Sequence, residues 1–413
     1  KVNSGEYKIM GLAPYGQPIY ANLIKDHLID IKHDGSFHLD MQYFDYCTEL
    51  KMTNARFDAL FGGSARTPEG PLSQREMDLA ASIQTVTEEV VIKLAKSIQR
   101  ETGLKNLCLA GGVALNCVAN GKLLKEGVFD QIWIQPAAGD AGGAIGAAYG
   151  AYHLKLNKPR TVQTPDAMSG SYLGPSYSQS DIEQRLTSIG ACFTTVSHDQ
   201  LIEQTAHALV KGKAVGWHQG RMEFGPRALG GRSILADPRS PAVQRLLNLK
   251  VKYRESFRPF APSVLREDLN QWFDLDVDSP YMLLVTEVQK DQQIPMTEAE
   301  KSLFGIDLLN IPRSTIPAVT HVDYSARVQT VHTDTNLIYH KLLSRFKALT
   351  GCPVLVNTSF NVRGEPIVCT PEDAFRCLMG TEIEWLAVGN CILKKEEQDP
   401  RLVLDYKNAY ELD

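Results

Sequence analysis

Apolar positions recur at three- and four-residue spacing from Gln74 to about Arg100, where Leu79, Ile83, Val86, Val90, Leu94 and Ile98 form one stripe. That spacing predicts a long amphipathic helix. Ser73 with Glu76 three residues on supplies a capping box, and Gly103 closes the far end. A short apolar run, Leu107 to Ala110, then reads as a strand, Gly111-Gly112 as a turn, and Val113 to Lys125 as a helix. Ile132 to Ile134 gives another strand, and a helix of small residues starts near Asp140. From Lys158 to Ser180 the pattern dissolves into Pro, Gly, Ser and Thr, as in an interdomain linker. Beyond it the alternation resumes. Ser197 with Gln200 starts a helix with Leu201, Thr205, Ala208 and Leu209 on its buried side and Gly212 as its stop. Residues 214–217, 282–285, 353–356 and 386–388 read as strands, and Thr370-Pro371-Glu372-Asp373 as a helix start. Alternating strands and helices predict an α/β layered protein.

Composition narrows this picture. The 413 residues exceed one typical domain, and 43% hydrophobic with 22% charged residues is ordinary for a globular chain. Formal charge is 43 − 48 = −5, which gives no general attraction to nucleic acid or to an anionic membrane. No apolar run reaches the ~18 residues of a membrane span. The opening Lys1 to Lys8 has no apolar signal core and no Met, so the chain is expected to have lost its natural beginning. Eight cysteines are scattered without a CxxC pair. Cys108, Cys117, Cys369 and Cys377 sit among apolar neighbours and read as buried free thiols of a reducing, cytoplasmic compartment. The ten histidines form no HxxxH or HExxH pair, so this stretch holds no complete metal cage of its own.

The strongest chemical signal lies between Arg221 and Arg258. Arg221, Arg227, Arg232, Arg239, Arg245, Lys250, Lys252, Arg254 and Arg258 are nine cations against Glu223, Asp237 and Glu255, a local balance of 9 − 3 = +6. They are interleaved with Phe224-Gly225-Pro226, Gly230-Gly231 and Pro259-Phe260-Ala261-Pro262, which suits a rigid pocket for a small anion better than a solvated face or a nucleic-acid patch. Asn357-Thr358-Ser359-Phe360-Asn361 offers short polar side chains at a strand end, either for a ligand or for its own turn. Gly111-Gly112 with Asn116 could cradle a nucleotide or simply make a tight turn. Asp140 in isolation reads as a helix cap, with a metal role needing partners the local sequence does not show. Lys8 and Gly11, in Lys8-Ile9-Met10-Gly11-Leu12-Ala13-Pro14-Tyr15-Gly16, form a second glycine-bearing candidate for phosphate.

Taken together, these stretches resemble the NodU/CmcH family of O-carbamoyltransferases, over nearly the whole chain and in the family's order. The Lys8–Gly16 motif, Ala110-Gly111-Gly112-Val113-Ala114-Leu115-Asn116 and Gly139-Asp140-Ala141-Gly142 are similar to its actin-like (ASKHA) TsaD-like lobe. Phe224-Gly225-Pro226-Arg227-Ala228-Leu229-Gly230, Phe257 to Pro262 and Asn357 to Asn361 are similar to its YrdC-like domain. The resemblance implies part of a TsaD-like domain over 1–160, a linker over 161–180 and a YrdC-like α/β domain over 181–413. It implies that carbamoyl phosphate and ATP give carbamoyl adenylate, from which the carbamoyl group passes to a hydroxyl of a small-molecule acceptor. Arg227, Lys252, Arg258 and Arg327 would be catalytic. Arg232, Asn357, Ser359 and Asn361 would bind substrate, and Lys8, Gly11, Gly111, Gly112 and Asn116 the nucleotide. Asp140 would be one ligand of a divalent metal, iron by resemblance or else magnesium. The family's leading lobe with its paired histidines is missing, and would come from the rest of the chain or from another chain; a homodimer is compatible. Rivals are a tRNA threonylcarbamoylation enzyme, disfavoured by the acidic balance, and a non-catalytic nucleotide-binding module, which leaves the arginines unused.

Overall fold

The computed structural model describes residues 5–67, 69–254, 257–406 and 409–410; Lys1 to Ser4 and Glu255, both used in the sequence reading, lie outside them. Within this range the long helix runs Gln74–Thr102, with the Ser73–Glu76 capping box in place and Gly103 in the left-handed region at φ 63°. Its buried face differs from the expected stripe. Val86 and Val90 are buried, but Ile83 is 39% and Ile98 44% exposed, whereas Met77, Asp78, Ala80, Ala81, Ser82, Gln84 and Glu88 are buried. The reason is that this face receives the loops and helices of the first 27 residues and the helix Cys117–Lys125. Its polar groups are satisfied there: Asp78 accepts from the Gln17 N–H at 2.7 Å and Ser82 from the Tyr20 N–H at 3.0 Å.

The first half also holds two small sheets. Strands β1 (Ile29–Ile31) and β2 (Phe37–Leu39) form an antiparallel hairpin. Strands β3 (Asn106–Leu109) and β4 (Gln131–Ile134) pair in parallel, joined by the crossover helix Cys117–Lys125. The small-residue helix starts where expected, at Asp140–Tyr149, but none of its residues is buried.

The second half is built on a nine-stranded mixed sheet, counted among the described residues. Its strands are β5 (Thr194–Thr195), β6 (Val215–His218), β7 (Arg232–Ala236), β8 (Ala261–Leu265), β9 (Leu284–Glu287), β10 (Ser325–Val331), β11 (Val354–Ser359), β12 (Trp385–Val388) and β13 (Cys391–Lys394). The order is β5-β13-β12-β6-β7-β11-β8-β10-β9, with β12/β6 and β8/β10 parallel and the other neighbours antiparallel. Helices His198–Val210 and Leu337–Thr350 pack on each other and on this sheet, as does Pro371–Gly380 with Gln179–Ser188. Trp217, Tyr339, Phe346 and Phe360 are wholly buried in the resulting core. Strands β7 and β8 escape the sequence pattern because every residue in them is buried, so nothing alternates, and Pro262 disguises β8 further. Of the cysteines expected to be buried, Cys117 and Cys377 are; Cys108 is exposed on β3 and Cys369 is half-buried.

The halves touch extensively. Asn120 donates to the Leu283 carbonyl at 3.1 Å, and a Cβ on Gly121 would stand 2.0 Å from the Val285 carbonyl oxygen, so only glycine lets this helix reach β9. The expected linker is not uniform. Residues 156–165 are exposed, but Asp166 accepts from Trp133 Nε1 at 3.0 Å and from the Tyr281 hydroxyl at 2.8 Å. Gly170 and Ser171 are buried. Limited proteolysis should therefore cut first within residues 156–165 and leave 166–180 attached to the second half; mass spectrometry of the first fragments checks this, and an initial cut at 168–175 would contradict it.

Candidate active site

The loop Phe224–Gly231 between β6 and β7 is wound around one carboxylate. Glu223 is 6% exposed, and its Oε1 accepts the backbone N–H groups of Leu229 at 2.6 Å, Gly231 at 2.7 Å and Arg232 at 3.2 Å. Neighbouring side chains hold the loop's carbonyls: Ser171 takes that of Phe224, Asn357 that of Ala228, Tyr172 and Gln329 that of Leu229, and Trp217 that of Gly230. Gly225 and Gly230, at φ 146° and 103°, make the bends that bring these groups together.

At the middle of this fixed loop stands Arg227. Among the described residues its guanidinium has no hydrogen-bond or ion-pair partner, and neither has that of Arg327 on β10; the Nε atoms of both are buried and unsatisfied. Burial first, then the charges of Arg327 and Arg258, push the Arg227 pKa down to about 9, which leaves it charged at neutral pH. Arg227 and Arg327, driven together on a pre-organised frame with no carboxylate partner among the described residues, make a site for an external anion. The frame continues underneath. Asn357 Nδ2 donates to Ser263 Oγ at 3.0 Å and Gln329 Oε1 at 2.8 Å, with the Asn357 Oδ1 left unpaired. This follows from register: Asn357 lies opposite Leu235 and Ala261, and Gln329 opposite Ser263. Strand β11 runs on through Ser359, so Asn357 is an inward-facing strand residue, not part of a turn.

The basic residues divide by what surrounds them. Arg232 is fully buried and donates to five backbone carbonyls, those of Pro175, Gln219, Gly220, Gly231 and Cys369, so its donors are engaged by the framework. Lys252 is 3% exposed and its Nζ donates to the carbonyl and hydroxyl of Ser359 and to the carbonyl and side chain of Asn361. Burial, with Arg254 and Arg258 beside it, draws its pKa well below the usual lysine range. Lys252, Ser359 and Asn361 thus form one knot at the end of β11. That knot borders a polar cavity of about 370 Å³, also lined by Tyr7, Arg254, Arg258 and Arg363. The Arg258 guanidinium lies 4.8 Å from the Tyr7 ring centre, and Gly11 faces Pro259. Helix Glu6–Leu12, with Lys8 and Gly11, therefore borders this basic site, while Met10 Sδ lies 3.7 Å from Cys117 Sγ, next to Asn116.

Gly111, Gly112 and Asp140 are exposed and neighbouring: the Gly111 N–H donates to the Ala138 carbonyl, two residues before Asp140. Nothing would obstruct a Cβ on Gly112. Asn116 caps the helix Cys117–Lys125 and makes a reciprocal amide pair with Gln84 at 3.0 and 3.1 Å, so its side chain serves the fold. Among the described residues no three His, Cys, Asp or Glu side chains gather to hold a metal, so Asp140 finds no further ligand there. Sequence reasoning missed Glu223, Ser263 and Gln329 as frame residues; the only signal was that Glu223 is one of three acids inside a basic run.

The contrast between arginines predicts opposite stabilities. Arg232→Ala should cost roughly 3–5 kcal/mol, because five carbonyls lose a buried charged donor. Arg227→Ala should change stability by less than about 1 kcal/mol, since no internal partner is lost. Urea unfolding of the two variants checks this.

The family described as carbamoyltransferase N-terminus matches residues 1–149, and that described as carbamoyltransferase C-terminus matches residues 206–395. An uncharacterised protein of Synechocystis sp. is 60% identical over 97% of this chain and 66% of its own length. The nodulation protein NolNO of Sinorhizobium fredii is 38% identical over 96% of this chain and 54% of its own. This chain thus spans two thirds or less of these relatives. A crystal structure of full-length HypF with phosphate and nucleotide aligns with 50% of this chain and 22% of that one, at TM-score 0.30 and 16% identity, too slight a likeness to argue from. Two family segments in order, with relatives along almost its whole length, mean that the chain belongs to the carbamoyltransferase family of the NodU and NolO type.

Proposed function

We propose that this chain carries the carbamoyl-activating site, and part of the transferring site, of an ATP-dependent O-carbamoyltransferase. The observation that carries the reading is a pair of guanidinium groups without a partner among the described residues, Arg227 on the rigid loop and Arg327 on β10, with Arg258 beside them. In this reading the second half is the YrdC-like domain of the family and the first half the remainder of a TsaD-like domain. Carbamoyl phosphate, ATP and one water give carbamoyl adenylate, pyrophosphate and phosphate. An acceptor hydroxyl then attacks the carbamoyl carbon, its proton is released, and AMP leaves. Carbamate is a weak electrophile, so adenylation supplies the leaving group; the arginines offset phosphate charge as it redistributes, which is where fixed cations lower a barrier most. The acceptor is a small hydroxylated molecule, since an acidic chain has no broad basic face for tRNA.

Pyrophosphate release from ATP that depends on carbamoyl phosphate tests the reading directly. Arg227→Ala and Arg327→Ala should each lower it about ten- to a hundredfold, the worth of one charge-assisted contact of roughly 1.5–3 kcal/mol. Undiminished release in both variants would remove the arginines from the reaction.

A second expectation concerns the Gly111-Gly112 turn as the place where the adenylate is held. Gly112 has open space beside it, so Gly112→Val should fold normally while its side chain blocks a phosphate from the backbone. In the full-length protein AMP binding should weaken at least about tenfold. Calorimetric titration with AMP decides; equal affinity means that the turn serves only the fold.

A further inference from the structure

A second cavity, of about 380 Å³, shares no lining residue with the one beside Lys252. Residues 241–249 supply part of its wall and residues 309–322, on the way from β9 to β10, supply most of the rest; Tyr15 of the first half completes it. The volume is that of a small-molecule pocket. Leu249, Leu309, Ile311, Pro312 and Pro317 make much of the wall apolar. The cations in the lining are Arg245 and Arg313, accompanied by His321; among the described residues no Asp or Glu takes part.

Two of these polar side chains are buried and incompletely bonded. Arg313 is 3% and His321 6% exposed, and each keeps a buried nitrogen without a partner, Nε in the first and Nε2 in the second. Arg313 donates from Nη1 to the Ile311 carbonyl at 2.8 Å and from Nη2 to that of Leu308, so backbone oxygens alone accept its hydrogen bonds. Burial lowers its pKa, as expected of a cation short of compensation. The His321 ring is fixed: its backbone N–H donates to the Ser325 carbonyl at 2.8 Å, and Nδ1 faces Asp323 Oδ1 at 3.5 Å. The Tyr15 ring meets it edge-on, with centres 5.3 Å apart. Buried polar atoms without partners are uncommon in native folds. Two of them on residues that line one cavity mark a place that an external group completes.

We propose that this cavity binds a small organic acid with an apolar body, its carboxylate answering Arg313 and the exposed Arg245, with His321 Nε2 as a further polar contact. A neutral apolar molecule would leave both buried nitrogens unpaired, and an amine would meet only like charge. A polyphosphate would lie against a largely apolar wall with one buried cation to hold it. The imidazole Nε2 accepts from a ligand hydroxyl or, when protonated, donates to the carboxylate. Neither Arg227 nor Arg327 lines this cavity, so the assignment is independent of the carbamoyl reading. Because Tyr15 belongs to the first half and the rest of the wall to the second, an occupant joins the halves.

Calorimetric titration of the whole chain with benzoate and with 4-hydroxybenzoate tests this. Saturable binding is expected, with the neutral 4-hydroxybenzamide at least about tenfold weaker. Arg245→Ala should weaken binding of both acids about three- to tenfold. Leu249→Trp, which fills the cavity from a side chain 46% exposed, should abolish it. Both substitutions alter exposed side chains, so loss of fold does not mimic loss of binding. Arg227→Ala should bind both acids as the parent does. No saturable binding of either acid, equal affinity for the amide, or undiminished binding by either Arg245→Ala or Leu249→Trp overturns the proposal. So does weakened binding in Arg227→Ala, which would move the acid to the anion site of that loop.

Discussion

One buried carboxylate holds the site together. Glu223 gathers three backbone N–H groups onto a single oxygen, and the path of residues 224–231 follows from that. A charged acceptor is needed because neutral oxygens seldom satisfy three donors at such distances. Once the loop is closed, its carbonyls point outward to Ser171, Asn357, Tyr172, Gln329 and Trp217, which tie it to β6, β10, β11 and the end of the linker. Among the described residues Arg227 is then left without a hydrogen-bond or ion-pair partner. Its freedom is produced by the restraint of everything around it, which is the condition for electrostatic pre-organisation.

Much of this was legible in the sequence, but unevenly. Capping boxes at Ser73, Ser197 and Thr370 located three helices because the signal is local. The density of arginines with Gly and Pro located the basic site. What could not be read was which cations face a ligand. Arg232 and Arg227 are five residues apart in one motif, yet one is surrounded by carbonyls and the other by cations. That difference depends on Pro175 and Cys369 beside Arg232 and on Arg258 and Arg327 beside Arg227, all distant in sequence. The partners of Lys252 were hidden for the same reason: its oxygen acceptors come from residue 359 onward. The buried face of the long helix was also misjudged, because Asp78, Ser82 and Glu88 are polar residues buried with partners, and hydrophobic periodicity does not count those.

The two halves meet at more than one place, and the meetings differ in kind. Tyr15 donates to the Phe257 carbonyl inside a small apolar cluster beside Arg258. Gly225 fits closely against Pro136, which ties the Arg227 loop to the segment that leads into Asp140. The basic site and the exposed Gly111–Asp140 region therefore share a rigid connection of a few residues, short enough for a shift in one to be felt in the other.

The approach of Gly121 and Asn120 to β9 has a consequence for assembly. Strand β9 is the outer strand of the large sheet, and an uncovered outer strand presents a row of backbone donors and acceptors to any passing chain. Here the helix Cys117–Lys125 lies along it, Asn120 takes the Leu283 carbonyl, and Gly121 sits against that of Val285. The first half thus acts as a guard against strand-to-strand aggregation, a task independent of catalysis. A glycine that catalyses nothing keeps the sheet from growing.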